Sequence, residues 1–380
     1  MTEMTSSYYV ANAPIKVGYL MDIVIPETWS EGLKIDGRAP MDLVFKRGYE
    51  QGLVDRPIEV VYREVEGMPK GTVKNVIDAY QELVDEGCLV VIGPSIVDNA
   101  VPTKLEIEKR FCVPSLSMCA SEDFLGEWTF SLPMGSHAEE PVFWAQLIRK
   151  GGHKEVGVLA EQSLMGELYY QNFRRAAAAE GIQITAVERL PQTFTDSSAA
   201  IKRLYDAKVP ALVHCGFFFP MIMSWQTFEE LEWDPPRYMP TSFQNSWINE
   251  HIWRAVQGWT GMDQWDAANP VAQSFLDDYE KEYGRRPQYC IPTQIYDLAN
   301  VVLHALADAH PLTPLAVKEA LERVKMLPAA CGSPGTRITF GKWMHRGWVG
   351  SGFLVANQLD PEGIKTDLTP TKLVARFDDV

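Results

Sequence analysis

The chain has 380 residues, 46% hydrophobic and 22% charged, a composition that packs cores rather than staying disordered, and its length suits two lobes better than one core. A formal net charge of −15 and a pI near 5.0 make a surface that repels nucleic-acid phosphates and anionic headgroups, so nucleic-acid binding is set aside. No stretch reaches the roughly 18 apolar residues of a membrane span, which argues against direct membrane insertion. Residues 1–14 carry Glu3 but no Lys or Arg and no apolar run, so they do not read as a secretory signal. As written the sequence is expected to be cytoplasmic, or periplasmic or extracellular if a signal has been removed.

The predicted elements alternate. Residues 15–21 read as a buried strand, 41–53 as a helix, 58–63 as a strand and 73–86 as a helix that stops near Gly87. A strand over 89–92 runs into Gly93-Pro94, a helix follows over 100–110, and another strand begins at Val113. The pattern then restarts, with helices over 137–150, 167–180, 197–207 and 220–231. Strands between them fall over 155–160, 182–190, 211–215 and 237–241. Such βα alternation predicts parallel, helix-covered sheets, and its repetition predicts two similar lobes divided near residues 132–135. Beyond Trp259 the expectation is helical, over 270–283, 293–310 and 313–324, ending in β-like segments at 337–340 and 347–355.

The motifs of common chemistries are missing: there is no Walker A loop, no G-x-S-x-G elbow and no H-E-x-x-H. The six cysteines form no C-x-x-C pair, which leaves zinc-ribbon and thioredoxin-like readings without support and fits buried thiols in a reducing compartment. His214 and Cys215 are adjacent on a predicted strand and so point to opposite faces, unable to form a nucleophile–base couple. Trp343, His345 and Trp348, with Lys342 and Arg346, read as packing near a hinge rather than as a site. The expectation is therefore a protein that is not an enzyme and has neither cofactor nor metal.

Four segments carry a resemblance to a known family. They are Ile15-Lys-Val-Gly-Tyr-Leu-Met21; Val90-Val-Ile-Gly-Pro94 followed by Val101-Pro102; Val113-Pro-Ser-Leu-Ser117; and the succession Asn269-Pro270, Phe275, Tyr279, Tyr283-Gly284, Pro287, Tyr296-Asp297. In this order they resemble the type I periplasmic binding proteins of the branched-chain amino-acid class, Leu/Ile/Val-binding-protein-like, over nearly the whole chain. The resemblance implies an α/β fold of two Rossmann-like lobes with parallel sheets joined by a three-crossover hinge. Lobe one would be residues 14–133 plus 262–340, and lobe two 134–261 plus 341–380. It implies a solute-binding receptor working with ABC transporter membrane components. The alternative is a cytoplasmic ligand sensor of the same fold acting on a regulatory protein.

In open parallel sheets the ligand sits beyond the carboxyl ends of the strands. The expected ligand-binding residues are Trp29 in the first loop; Val97, Asp98 and Asn99 after the strand ending at Ile92; and Cys119 and Ser121 after Ser117. From lobe two come Met165, where the family often has an aromatic residue, then Phe217, Phe218 and Phe243, with Ile291 completing the set. Asp98 or Asn99 reads equally as a helix cap, and Ser121 as the cap of the next turn; at least one of the three consecutive phenylalanines 217–219 is expected to point into the cleft, the other reading being core packing. Amino-acid-binding relatives place an acidic residue near the position of Ser242 or Phe243, and neither is acidic. The expected ligand is accordingly an apolar or aromatic metabolite, such as an acid or an amide, rather than an amino acid.

Overall fold

The structure is a computed structural model that describes residues 13–24, 31–192, 196–217, 219–248, 254–287, 291–360 and 371–380. Trp29 and Phe218 lie outside the described residues.

The first sheet collects β1 (Ile15–Met21), β2 (Ile58–Glu64), β3 (Val91–Ile92), β4 (Ser115–Ser117) and β5 (Thr129–Ser131) in the order β2-β1-β3-β4-β5, all parallel. Its helices are α1 (Glu31–Asp36), α2 (Ala39–Glu50), α3 (Val73–Asp85) and α4 (Val97–Glu106). The apolar face of α3, with Val76, Tyr80 and Leu83, is buried, and the hydroxyl of Thr72 caps the helix by accepting the N–H of Asn75. Helix α4 begins at Val97, three residues earlier than the sequence predicts, and continues as a π-turn over Ile107–Phe111. Its Pro102 lies inside the helix at the sixth position, where it removes one N–H from the ladder.

The chain then leaves this sheet and builds a second lobe with α5 (Glu139–Lys150), β6 (Glu155–Gln162), α6 (Leu164–Ala179), β7 (Gln183–Pro191), α7 (Ser198–Asp206), β8 (Leu212–Cys215), α8 (Ser224–Glu230), β9 (Arg237–Met239) and β10 (Trp259–Asp263). It returns to the first lobe through α9 (Pro270–Tyr283), α10 (Ile291–Asp308), α11 (Pro314–Arg323) and a small antiparallel pair, β11 (Leu327–Pro328) and β12 (Arg337–Ile338). Both α9 and α10 pack on α2. Finally β13 (Val355–Leu359) and β14 (Thr371–Arg376) complete the second sheet, whose order is β14-β13-β10-β9-β8-β6-β7. The five strands β10-β9-β8-β6-β7 are parallel, and β13 and β14 are antiparallel additions at the edge beyond β10. This confirms the expected class: two α/β lobes with largely parallel sheets. Two expectations need correcting. Trp259 opens a strand rather than a helical zone, and residues 347–354 contribute one isolated bridge, Ile338–Trp348, before β13 starts.

Three strands of chain thus pass between the lobes, and one carbonyl ties them together. The oxygen of Pro133, on the first passage, accepts Gln264 Nε2 from the second at 3.0 Å and Trp348 Nε1 from the third at 2.9 Å. Buried amides extend this knot. Gln294 of α10 donates to Gln264 Oε1 (2.8 Å) and Gln244 Oε1 (2.6 Å), and Gln244 donates to Asp263 Oδ1 (2.7 Å). Asp263 also accepts Asn357 Nδ2 and the N–H groups of Gln264 and Trp265, yet complete burial still raises its pKa to about 6. No helix among the described residues is long and apolar enough to cross a membrane.

Candidate ligand-binding cleft

The residues after each parallel strand define where a ligand would sit, so the site is built strand by strand. Directly after β1 comes Asp22, fully enclosed at 3% exposure. Its carboxylate accepts the N–H of Ser95 (3.0 Å) and of Ile96 (2.9 Å) at the start of α4, together with Asn99 Nδ2 (3.0 Å). Asn99 in turn accepts the N–H of Met68 at 2.7 Å. The N-terminus of α4 is the place where backbone donors and helix dipole favour an anion. Here the chain's own carboxylate occupies it. Burial is the first cause of a raised Asp22 pKa, and the three donors oppose it.

Because α4 starts at Val97, the residues expected in a loop are helical. Val97 is buried in the lobe-one core with Leu20, Ala100 and Cys119, and Asn99 is fully buried against Asp22. Asp98 points the other way. It caps no turn of its own helix; its Oδ1 accepts the N–H of Leu164, the first residue of α6 in the other lobe, at 3.3 Å. Its Oδ2 is buried with no hydrogen-bond partner among the described residues. After β4, Cys119 is fully buried and burial pushes its thiol up to about 12, so it is an inert core thiol. Ser121 accepts the N–H of Asp123 at 3.3 Å and caps the short turn at Glu122–Phe124.

On the second lobe β6 runs two residues past its predicted end, to Gln162, because it pairs with β7 as far as Pro191. This places Glu161 inside the structure at 0% exposure. Its Oε2 accepts the N–H of Phe217 at 2.8 Å, and its Oε1 has no hydrogen-bond partner among the described residues. Burial raises its pKa to about 7; the Ser163 hydroxyl and the Phe217 N–H lower it, and the charge of Asp98 raises it further. Gly216 is required beside it, since a Cβ there would lie 2.5 Å from the Glu161 Cβ. Sequence reasoning missed both Glu161 and Asp22. The available signal was an acidic residue at the carboxyl end of an apolar strand.

Met165, in the first turn of α6, is half-buried and packs against the cores of both lobes. Phe217 is half-buried against the lobe-two core, and its carbonyl meets His214 Nε2 at 2.5 Å. Burial lowers the His214 pKa to about 4, so that imidazole is neutral. Phe243 is fully buried with Met239 and Trp259, packed so closely on Gly261 that a Cβ there would meet its ring. Ile291 opens α10 and rests on the core between the lobes. The strand ends of the two lobes therefore bring together Asp98, Glu161, Leu164, Met165 and Phe217. Val97, Asn99, Cys119 and Phe243 are held inside the lobes. A groove of about 680 Å³ lies elsewhere, lined by Glu122, Lys318, Lys342, Trp343, His345 and Arg346, and none of the cleft residues lines it. There Trp343 is 90% exposed, whereas Trp348 is buried on Pro133, so only part of that cluster is packing. Among the described residues no group of His, Cys, Asp and Glu is arranged to hold a metal ion.

The fold and this cleft define a two-lobed binding protein. A family model for periplasmic binding proteins matches residues 14–352, and the chain belongs to that family. Solved structures share the fold at low sequence identity. A periplasmic binding protein type 1 from Bordetella pertussis superposes with a TM-score of 0.78 at 18% identity, covering 96% of this chain and 100% of that one. An ABC transporter substrate-binding protein from Desulfitobacterium hafniense in complex with Leu gives 0.76 at 16% identity, covering 95% and 100%. A branched-chain amino acid ABC transporter protein from Thermus thermophilus with bound valine gives 0.74 at 16% identity, covering 97% of each chain. No curated protein sequence matches the chain.

Proposed function

We propose that this chain is the solute-binding receptor of an ABC-type transporter, closing its lobes on a small, largely apolar or aromatic molecule and performing no chemistry on it. The observation that carries this reading is the meeting of strand-end segments from opposite lobes, Asp98 on one side and Leu164–Met165 on the other. That is where hinge closure would bury a ligand and make closure depend on it. Leu164 is 40% exposed there, Ile23 and Val24 after β1 are exposed, and Ile96, Met118, Met165 and Phe217 are half-buried. These side chains favour an apolar body. The leucine and valine held by two of the structural neighbours set a matching scale of size. The partners would be the membrane components of the transporter, on the side from which solute is taken up.

A ligand that binds only the folded protein raises its apparent stability. Thermal unfolding of the purified chain against amino acids, aromatic acids, amides, amines and fatty acids is expected to give a shift with one class. The same ligand should make the particle more compact in small-angle scattering. A folded protein that shifts with none of them would sink the receptor reading.

A further inference from the structure

We propose that Asp98 of one lobe and Glu161 of the other, which meet the same strand-end segment of the cleft through the N–H groups of Leu164 and Phe217, form a subsite for the protonated nitrogen of an organic amine, so that the solute is an amine rather than an amino acid or an acid. This rests on the receptor reading above and adds the charge of the ligand.

Each carboxylate is already met by donors of lobe two: Asp98 Oδ1 accepts the N–H of Leu164 with that of Met165 beside it, and Glu161 Oε2 accepts the N–H of Phe217 with the Ser163 hydroxyl nearby. Each has its other oxygen buried and without a hydrogen-bond partner among the described residues, and Glu161 as a whole is fully enclosed. Neither side chain enters an ion pair with a described Lys, Arg or His. Two buried carboxylate oxygens left without a partner are an unfavourable arrangement by themselves. A cation with several N–H donors reverses that. A primary ammonium carries three donors and satisfies an oxygen on each lobe, so binding it also holds the lobes together.

The missing half of an amino-acid site is equally specific. An α-carboxylate needs donors, and the donors at the start of α4 are already taken by Asp22 through Ser95, Ile96 and Asn99. A second carboxylate placed there would meet the charges of both Asp22 and Asp98. The cleft therefore offers acceptors for a cation, apolar side chains for its body, and no vacancy at that helix terminus for an anion.

Two matched series test this by isothermal calorimetry and thermal shift near neutral pH. The first is 3-methylbutylamine, leucine, 4-methylpentanoate and 4-methylpentanamide. The second is 2-phenylethylamine, phenylalanine, 3-phenylpropionate and 3-phenylpropanamide. The expected result is binding of the amine in at least one series with no binding of its acid. That affinity should fall about tenfold or more in Glu161→Gln and in Asp98→Asn, each losing a charged partner of the ammonium. Acid, amino acid or amide binding without amine binding overturns the cation subsite and leaves the receptor reading standing. Amine binding that neither substitution weakens overturns the subsite too, because the amine then sits elsewhere. No binding by any member of either series overturns the amine assignment, and the receptor reading is then judged on the wider ligand panel. The wild-type comparison within each series decides the matter even where a variant folds poorly.

Discussion

The carboxylate of Asp98 in α4 accepts the backbone N–H of Leu164 in α6, and this 3.3 Å bond crosses from one lobe to the other. It sets a side-chain charge of lobe one on the positive end of a lobe-two helix whose own cap, Ser163, serves the N–H of Gly166. The two caps are complementary: Ser163 serves the first turn of α6 from within its own lobe, and Asp98 serves it from the opposite lobe.

Replacing Asp98 by alanine removes the cross-lobe acceptor without touching either core. The ligand-free protein is expected to populate a more open arrangement, seen in small-angle scattering as a larger radius of gyration. Asp98→Asn keeps a carbonyl oxygen at the same place and should stay closer to the wild type. Equal scattering from all three proteins would show that closure does not depend on this bond.

Glu161 makes the stability of the ligand-free protein depend on pH in a defined direction. Its pKa is raised from 4.5 to about 7 on folding, chiefly by burial. The folded state therefore holds this proton more tightly than the unfolded chain. This group's effect is most favourable below pH 4.5 and is lost as pH rises through about 7. In Glu161→Gln that dependence disappears, so the variant should gain on the wild type as pH rises. The total gain across the window is at most about 3 kcal/mol. Urea unfolding of both proteins from acidic to mildly alkaline pH measures it. A difference that does not change with pH would mean that Glu161 titrates normally. Glu140 and Asp297, also raised to about 7 by burial, are common to both proteins and drop out of the comparison.

The succession from Asn269 to Asp297, one of the four segments that carry the family resemblance, is structural. Asn269 caps α9 by accepting the N–H of Val271, while its Nδ2 lies 3.0–3.4 Å from the carbonyls of Ala329, Ala330, Cys331 and Gly332. Asp297 accepts the N–H groups of Ala330 and Cys331, so the two side chains hold both sides of one buried loop. Tyr279 donates to the buried Asp36, and Tyr283 to the carbonyl of Ala39. Asn269→Ala removes a cap and leaves buried carbonyls unpaired, and should cost about 3 kcal/mol in urea unfolding. A loss within the range of an ordinary surface change would show that the loop finds other donors.

These same residues explain why the fold was more legible than the cleft. A run such as 15–21, apolar but for Lys16 and bounded by Pro14 and Asp22, specifies its strand locally, and β1 spans those seven positions. Three-residue β5, five-residue β10 with Gly261 at its centre, and the edge strand β14 carry too little pattern to be seen. The cleft depended on boundaries, the least local feature of all. Starting α4 three residues late turned Val97 and Asn99 into loop residues. A strand that the local pattern ends at Ala160 places the buried carboxylate of Glu161 in a loop. Pairing with β7 carries β6 on to Gln162, and that partner strand lies more than twenty residues away in the chain.

Asp22 provides the sharpest test of what the cleft selects. Its carboxylate fills the N-terminus of α4, the position at which the backbone itself would bind an anion. Asp22→Ala removes that carboxylate and frees the N–H groups of Ser95 and Ile96 and the amide of Asn99, at a cost of about 1–3 kcal/mol in stability. The helix terminus then lacks a ligand of the same chemistry as the one deleted. Leucine or 4-methylpentanoate, which the wild type is expected to refuse, should now bind and restore part of the lost thermal stability. Acetate of equal concentration controls for a general anion effect. If the variant is destabilised but no carboxylate rescues it, the α4 terminus is closed to ligands whatever occupies it. Selection against acids would then come from the Asp98 charge alone, and Asp98→Asn would be the substitution that relaxes it.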